Sequence, residues 1–227
     1  MSRAAILAKV RTALEVEPAG DAARRASVAA RLAGGGRHIV PARGQVGAPE
    51  RVALLRTFLA AQGTDLIEVD TAAEIPAAIA DYLRGRNLPP RLRIGSDPFF
   101  AALPWTDALA RDTGAALAGD TAGLSRALAG VAETGTLVLA SGPLNPTTLA
   151  LLPETHLVVL RRAAIVGGYE DAMALVAAEL GSADLPHTLN LVSGASRTGD
   201  IGGRIVMGAH GPSRLAVILV GDNAGSD

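Results

Sequence analysis

The sequence predicts an α/β domain with a mainly parallel central sheet, and three observations carry that prediction. Short apolar runs bounded by Gly, Pro and Asn recur at 66–69, 92–94, 137–140, 156–160, 189–192 and 215–220, and short runs of this kind are strands. Stretches with apolar residues three and four apart alternate with them, as parallel strands joined by helices require. The 49% apolar fraction suits a globular core, and with one Trp, two Tyr and three Phe that core must be mostly Ala, Leu and Val.

Taken in order, residues 3–14 place Ile6, Leu7, Val10 and Leu14 at helical spacing. Residues 15–36 are rich in Ala and Arg. We read residues 1–36 as a basic helical arm carrying Arg3, Lys9, Arg11, Arg24, Arg25 and Arg31, either a solvated face or a docking arm for an acidic partner. Gly34-Gly35-Gly36 ends the arm, so the α/β domain is expected over 37–227. Val52, Leu55, Phe58 and Leu59 predict a helix over 50–62, stopped at Gly63. Thr71 and Glu74 form a capping-box pattern that starts a helix running to about Arg84. Phe99, Phe100 and Trp105 are expected to plug one end of the sheet and not to form a stacking platform, because no basic residue interleaves with them. Residues 115–118 read as a short strand and 121–131 as a helix. Asn145-Pro146 reads as a helix start, and 169–180 as a helix stopped by Gly181. Residues 205–207 read as a buried strand. No helix fits between 205–207 and 215–220, so these two strands pair antiparallel or sit in different parts of the sheet.

Composition excludes several function classes. The formal net charge of −1 lacks the basic excess of a nucleic-acid binder. With no cysteine there is no disulfide, no thiolate metal site and no Cys-ligated iron–sulfur cluster on this chain. No apolar run reaches the length of a membrane span, and the first residues lack the pattern of a secretory signal, so a cytoplasmic location is expected.

Reactive side chains gather in three stretches. The first is Glu133-Thr134-Gly135-Thr136, where a carboxylate at a strand mouth is a base, a nucleophile or a simple turn residue. The second is 193–200, which offers the hydroxyls of Ser193, Ser196 and Thr198, the N–H groups of Gly194 and Gly199, the Arg197 guanidinium and the Asp200 carboxylate. Free N–H groups among small residues hold anions, and Arg adds a fork for a carboxylate or phosphate. Arg197 is alternatively a surface residue paired with Asp200. The third is His210-Gly211-Pro212, where the imidazole is a proton shuttle, a metal ligand or a structural residue. A metal site needs at least three ligands and no second His is near in sequence, so no metal is expected. Neither a Walker A loop, a G-x-G-x-x-G fingerprint nor a G-x-S-x-G elbow is present.

In this order and spacing, Glu133-Thr134-Gly135-Thr136, then 193–201, then 208–212, resemble the lactate-utilisation (LUD) domain family, which includes the C-type subunit of the bacterial lactate-utilisation system. The resemblance covers about 37–220. It implies a three-layer fold like that of the NagB/RpiA/CoA transferase-like group, with the sheet between helical layers. It implies action with two partner proteins, at least one carrying iron–sulfur clusters, in oxidising L-lactate to pyruvate, with no cofactor on this chain itself. It implies Glu133, Asp200 and His210 as catalytic candidates. Thr134, Gly135, Thr136, Ser193, Ser196, Arg197, Thr198 and Gly211 are implied as ligand-binding candidates, with Gly194 added for its backbone N–H, for a small carboxylate or phosphorylated ligand. Two positions depart from the family pattern: Ala195 replaces a usual Pro, and Gly202 stands where an acidic residue often follows Asp-Ile. The resemblance leaves open whether the chain is catalytic alone, a stand-alone acyl transferase or sugar-phosphate isomerase using Glu133, or an anion-binding module without chemistry. All of these readings need the three stretches to converge at the rim of one sheet.

Overall fold

The computed structural model describes residues 2–15, 20–33, 40–181, 186–201 and 203–221. The chain separates into two compact units, Met1–Ile39 and Val40–Asp227. The first holds helices α1 (Arg3–Ala13) and α2 (Asp21–Ala33), neither of which buries a residue. Ser2 caps α1, its hydroxyl accepting from the N–H of Ala5 at 3.3 Å. Gly34-Gly35-Gly36 lies outside the described residues.

The second unit is built on a six-stranded, all-parallel sheet in the order β1-β12-β7-β4-β2-β3. The strands are β1 (Asp65–Val69), β2 (Arg91–Ile94), β3 (Ala110–Thr113), β4 (Ala122–Arg126), β7 (Thr155–Arg161) and β12 (Arg214–Val220). A strand buried on both faces reads as a continuous apolar run, and β12 buries every residue from Leu215 to Val220. Alternation then divides the core. Ala216, Ile218 and Val220 join Leu157 and Val159 on one face, under Ile75, Ile79 and Leu83 of α4 (Ile75–Gly85). Leu215, Val217 and Leu219 join Val158 and Leu160 on the other, against Leu55 and Leu59 of α3 (Ala48–Ala61).

That second face also carries a smaller sheet, β8-β5-β6-β9: β5 (Ala129–Val131), β6 (Thr136–Ala140), β8 (Ile165–Val166) and β9 (Leu189–Val192). Leu137 and Leu139 of β6 pack into the α3 core. Helix α6 (Tyr169–Leu180) covers the small sheet through Ala172 and Val176. The mainly parallel sheet is therefore covered on both faces, one of them partly by strands.

Several local expectations are corrected. Residues 121–131 form β4 and β5, not a helix: Leu124 and Leu128 mimic helical spacing, yet a Cβ on Gly123 would lie 2.6 Å from the Leu149 carbonyl oxygen, so glycine allows close packing in the sheet. Residues 115–118 are no strand; the strand is the charged Ala110–Thr113, an edge position where charge is expected. Asn145 does not cap a helix. Its side chain donates to the Ala140 carbonyl at 3.1 Å, and only a 3-10 turn, Thr147–Ala150, follows. Residues 205–207 belong to an exposed strand, β11 (Arg204–Met207), paired only with β10 (Arg197–Ile201), and Ile205 is 70% exposed. The last two strands thus sit in different sheets. Phe100 is buried in the core with Phe99 and Trp105 packed on it, and Arg126 and Arg111 lie over the rings of Phe99 and Trp105. Tertiary structure supplied the basic neighbours that the local sequence lacks.

Candidate functional site

The turn between β5 and β6 presents the first stretch. Gly135 takes φ 67° there, and a Cβ on it would lie 2.6 Å from Cβ of Phe58, so only glycine lets α3 press against the turn. The Glu133 N–H donates to the Gly167 carbonyl at 3.1 Å. The backbones at Gly44 and Gly167 meet so closely that a Cβ on Gly167 would sit 2.0 Å from the Gly44 oxygen. Beneath this contact Glu133 is only 3% exposed. Its Oε2 has no hydrogen-bond partner, and Nε of Arg43 stands 3.8 Å away. A buried carboxylate with one unbonded oxygen and a cation just beyond bonding distance is costly to desolvate, and such arrangements concentrate at functional sites. Arg43 was not singled out by sequence; it lies some ninety positions upstream, in the short turn Ala42–Gly44.

Beside the carboxylate runs a row of four hydroxyls. Thr134 Oγ1 is 2.7 Å from Thr136 Oγ1 and 3.1 Å from the Tyr169 hydroxyl, which is 2.9 Å from Thr136. Thr136 Oγ1 is in turn 2.6 Å from Ser193 Oγ. Thr136 opens β6 and Ser193 follows β9, and the Leu137–Val192 register puts them side by side. Tyr169, at the first position of α6, joins them from the opposite element. Sequence reasoning missed it because nothing local marks it.

The second and third stretches meet through main chain. The Ser196 N–H donates to the Pro212 carbonyl at 2.8 Å, and the Gly208 N–H to the Ser196 carbonyl at 2.8 Å. Between them and the start of β7 lies a cavity of about 210 Å³, whose lining includes His156, Ser193, Gly194, Ser196, His210 and Gly211. His156 and Leu215 are the second residues of β7 and β12. The cavity is thus at the amino ends of these strands, whereas open α/β sheets usually place ligands at the carboxyl ends. His156 is 1% exposed, with Nε2 3.0 Å from Ser125 Oγ. Loss of solvent pushes its pKa down to about 3, so the ring is neutral near pH 7. Its run, Thr-His-Leu-Val-Val-Leu, reads as an apolar strand, which hid it.

The three stretches meet, but Glu133 and Arg197 do not share the cavity with His210. Ser193, Gly194, Ser196, His210 and Gly211 line it; Glu133 and Arg197 do not. The Arg197 guanidinium donates to the Gln62 carbonyl at 2.6 Å, at the C-cap of α3, instead of pairing with a ligand there. Thr198 and Gly199 lie on strand β10, not in a loop. The side chain of Asp200 and all of Gly202 lie outside the described residues. Among the described residues no group of three or more His, Asp or Glu side chains is placed to hold a metal ion, and no helix is long and apolar enough to cross a membrane.

Comparison with known proteins adds to this geometry. Lactate utilization protein C 1 of Bacillus mycoides is 37% identical over 93 residues, 40% of this chain and 40% of that protein. Lactate utilization protein C of Bacillus licheniformis is 34% identical over 93 residues, 40% of this chain and 39% of that one. The chain thus matches about two fifths of the length of these curated relatives. The crystal structure of a DUF162 family protein from Deinococcus radiodurans superimposes with a TM-score of 0.60 at 25% identity, over 78% of this chain and 99% of that one. The profile of the LUD domain matches residues 52–220, which span the six-, four- and two-stranded sheets and all three reactive stretches. The chain belongs to the LUD domain family.

Proposed function

We propose that this chain serves L-lactate utilisation as the C-type component of a multi-protein system, holding a small anionic ligand while partner proteins carry the electrons. The observation that supports this best is the likeness to proteins named lactate utilization protein C, within a LUD match that takes in the whole cavity. Oxidising L-lactate to pyruvate releases two electrons and two protons. A chain with no cysteine supplies no thiolate to an iron–sulfur cluster, so the clusters that take the electrons belong to the partners. This chain's part is binding. Ser193, Gly194, Ser196, His210 and Gly211 line the cavity.

Deleting the gene tests the role. The strain should grow normally on glucose and fail on L-lactate as sole carbon source, with growth restored by the intact gene. Normal growth on L-lactate overturns the proposal.

A second reading is favoured by Glu133, whose buried and partly unbonded carboxylate suits a nucleophile or base of an acyl transferase or isomerase. There, Glu133→Gln should lower turnover by on the order of 10²–10⁴. Full turnover by the variant removes this reading.

A further inference from the structure

The carboxyl ends of the parallel strands, where open α/β sheets usually take their ligands, hold a second cavity. After β2 the chain moves outward to β3, and after β4 it moves inward to β7, so the strand order reverses between β2 and β4. Arg126, the last residue of β4, meets Asp97 there, its Nε donating to the carboxylate at 2.6 Å. The same arginine borders a cavity of about 220 Å³, together with Arg161, the last residue of β7, and with Leu175 and Glu179 of α6. His156 lines the first cavity and Arg161 the second, which puts roughly 16 Å of strand between them.

This cavity carries both signs of charge and leaves both available. Only Nε of Arg126 is bonded, so its terminal N–H groups remain free. Among the described residues the Arg161 side chain has no partner, and Glu179 pairs with neither arginine. Asp97 and Glu179 offset the two arginines in formal charge, so a doubly charged phosphoryl group finds no matching excess of cation. Glu179 also stands one residue before the end of α6. There the last carbonyls lack intrahelical partners and the helix dipole is negative. That wall favours a cationic group, and the arginine wall favours an anionic one. Ala127, Ala163, Ala164 and Ala178 keep much of the remaining wall small and apolar. The volume is below the ~300–1,000 Å³ of pockets that take drug-sized ligands, so a small molecule fits.

We propose that this cavity binds a small amino acid as its zwitterion. Arg161 and the free N–H groups of Arg126 take the carboxylate, which a guanidinium matches with two parallel N–H···O bonds. Glu179 and the end of α6 take the ammonium group, and the alanines restrict the ligand to a short side chain. The site is separate from the one proposed for lactate utilisation and stands without it.

Calorimetric titration of the full chain tests this, with glycine, L-alanine and L-serine as probes and propionate, ethylamine and inorganic phosphate as comparisons. At least one of the amino acids should bind. Propionate, which lacks the ammonium group, and ethylamine, which lacks the carboxylate, should each bind about tenfold more weakly or worse. Arg161→Gln should weaken the amino acid about tenfold, and Ser196→Ala, in the other cavity, should leave it unchanged. Glu179→Gln should weaken the amino acid but not propionate, narrowing the gap between them, which a general loss of structure would not do. Both substituted side chains are exposed, so the variants should fold. Binding of none of the three amino acids overturns the proposal, as does propionate or phosphate binding at least as tightly as they do. Amino-acid binding that falls in Ser196→Ala and is indifferent to Arg161→Gln and Glu179→Gln also overturns it, by placing the ligand in the first cavity.

Discussion

His156 ties stability to pH through a single side chain. Unfolded, it takes a proton near its ordinary pKa of 6.5; folded, burial holds it unprotonated to about 3. Between those values the unfolded chain binds a proton that the folded chain does not. Stability should therefore be fully present above pH 6.5 and fall below it, by up to ~1.4 kcal/mol per pH unit. Denaturant titrations across pH 4–8 check this, and His156→Gln should flatten the slope. Glycine contacts make a sharper steric prediction. Gly167→Ala pushes a Cβ to 2.0 Å from the Gly44 oxygen and should cost about 1–3 kcal/mol or more. Gly142→Ala meets nothing within 4 Å and should change stability by no more than about 0.5 kcal/mol. Chemical unfolding of the pair separates the two. Single residues were only half legible from sequence. Ser193, Ser196 and His210 stood out because small polar residues crowd a loop. Arg43, Tyr169 and His156 did not, because each acquires its meaning from a neighbour far along the chain.

Elements were legible where a local rule and the tertiary role agree. The Thr71–Glu74 capping box forms, Thr71 N–H and Oγ1 both donating to Glu74 Oε1 at 3.1 and 2.7 Å. Thr71→Ala should cost about 0.5–2 kcal/mol. Helix α4 then lays Ile79, fully buried, onto the sheet, and Ile79→Ala should cost about 2–5 kcal/mol by the cavity it leaves. Thermal unfolding measures both. Helix α6 likewise begins at Tyr169 and ends before Gly181 as its pattern requires. Elements were illegible where packing overrides spacing. Strand β4 is rich in small residues with two leucines four apart around its end, and only its place between β7 and β2 makes it a strand. The β10–β11 hairpin was hidden for the opposite reason: polar Arg197-Thr198-Gly199 reads as a loop, yet pairs with an exposed apolar strand.

At the scale of the whole molecule, two sheets share one face of the core, and this arrangement makes the cavity. The small sheet brings Thr136 and Ser193 together at its edge, and the chain then returns through 208–212 to enter β12. Ser193, Ser196 and His210 meet His156 only because β9 and β12 belong to different sheets stacked against α3 and each other. The parallel class and the family were readable from the alternation of apolar runs and three ordered motifs. The stacking was not, since no local pattern tells which strands leave the main sheet. The central claim is that this junction is the ligand site, and the chain's four histidines allow a direct test. Following the imidazoles by NMR while L-lactate or pyruvate is added should shift His156 and His210 together and leave His187 in place. Saturable binding that moves His187 and leaves His156 and His210 still would contradict the account.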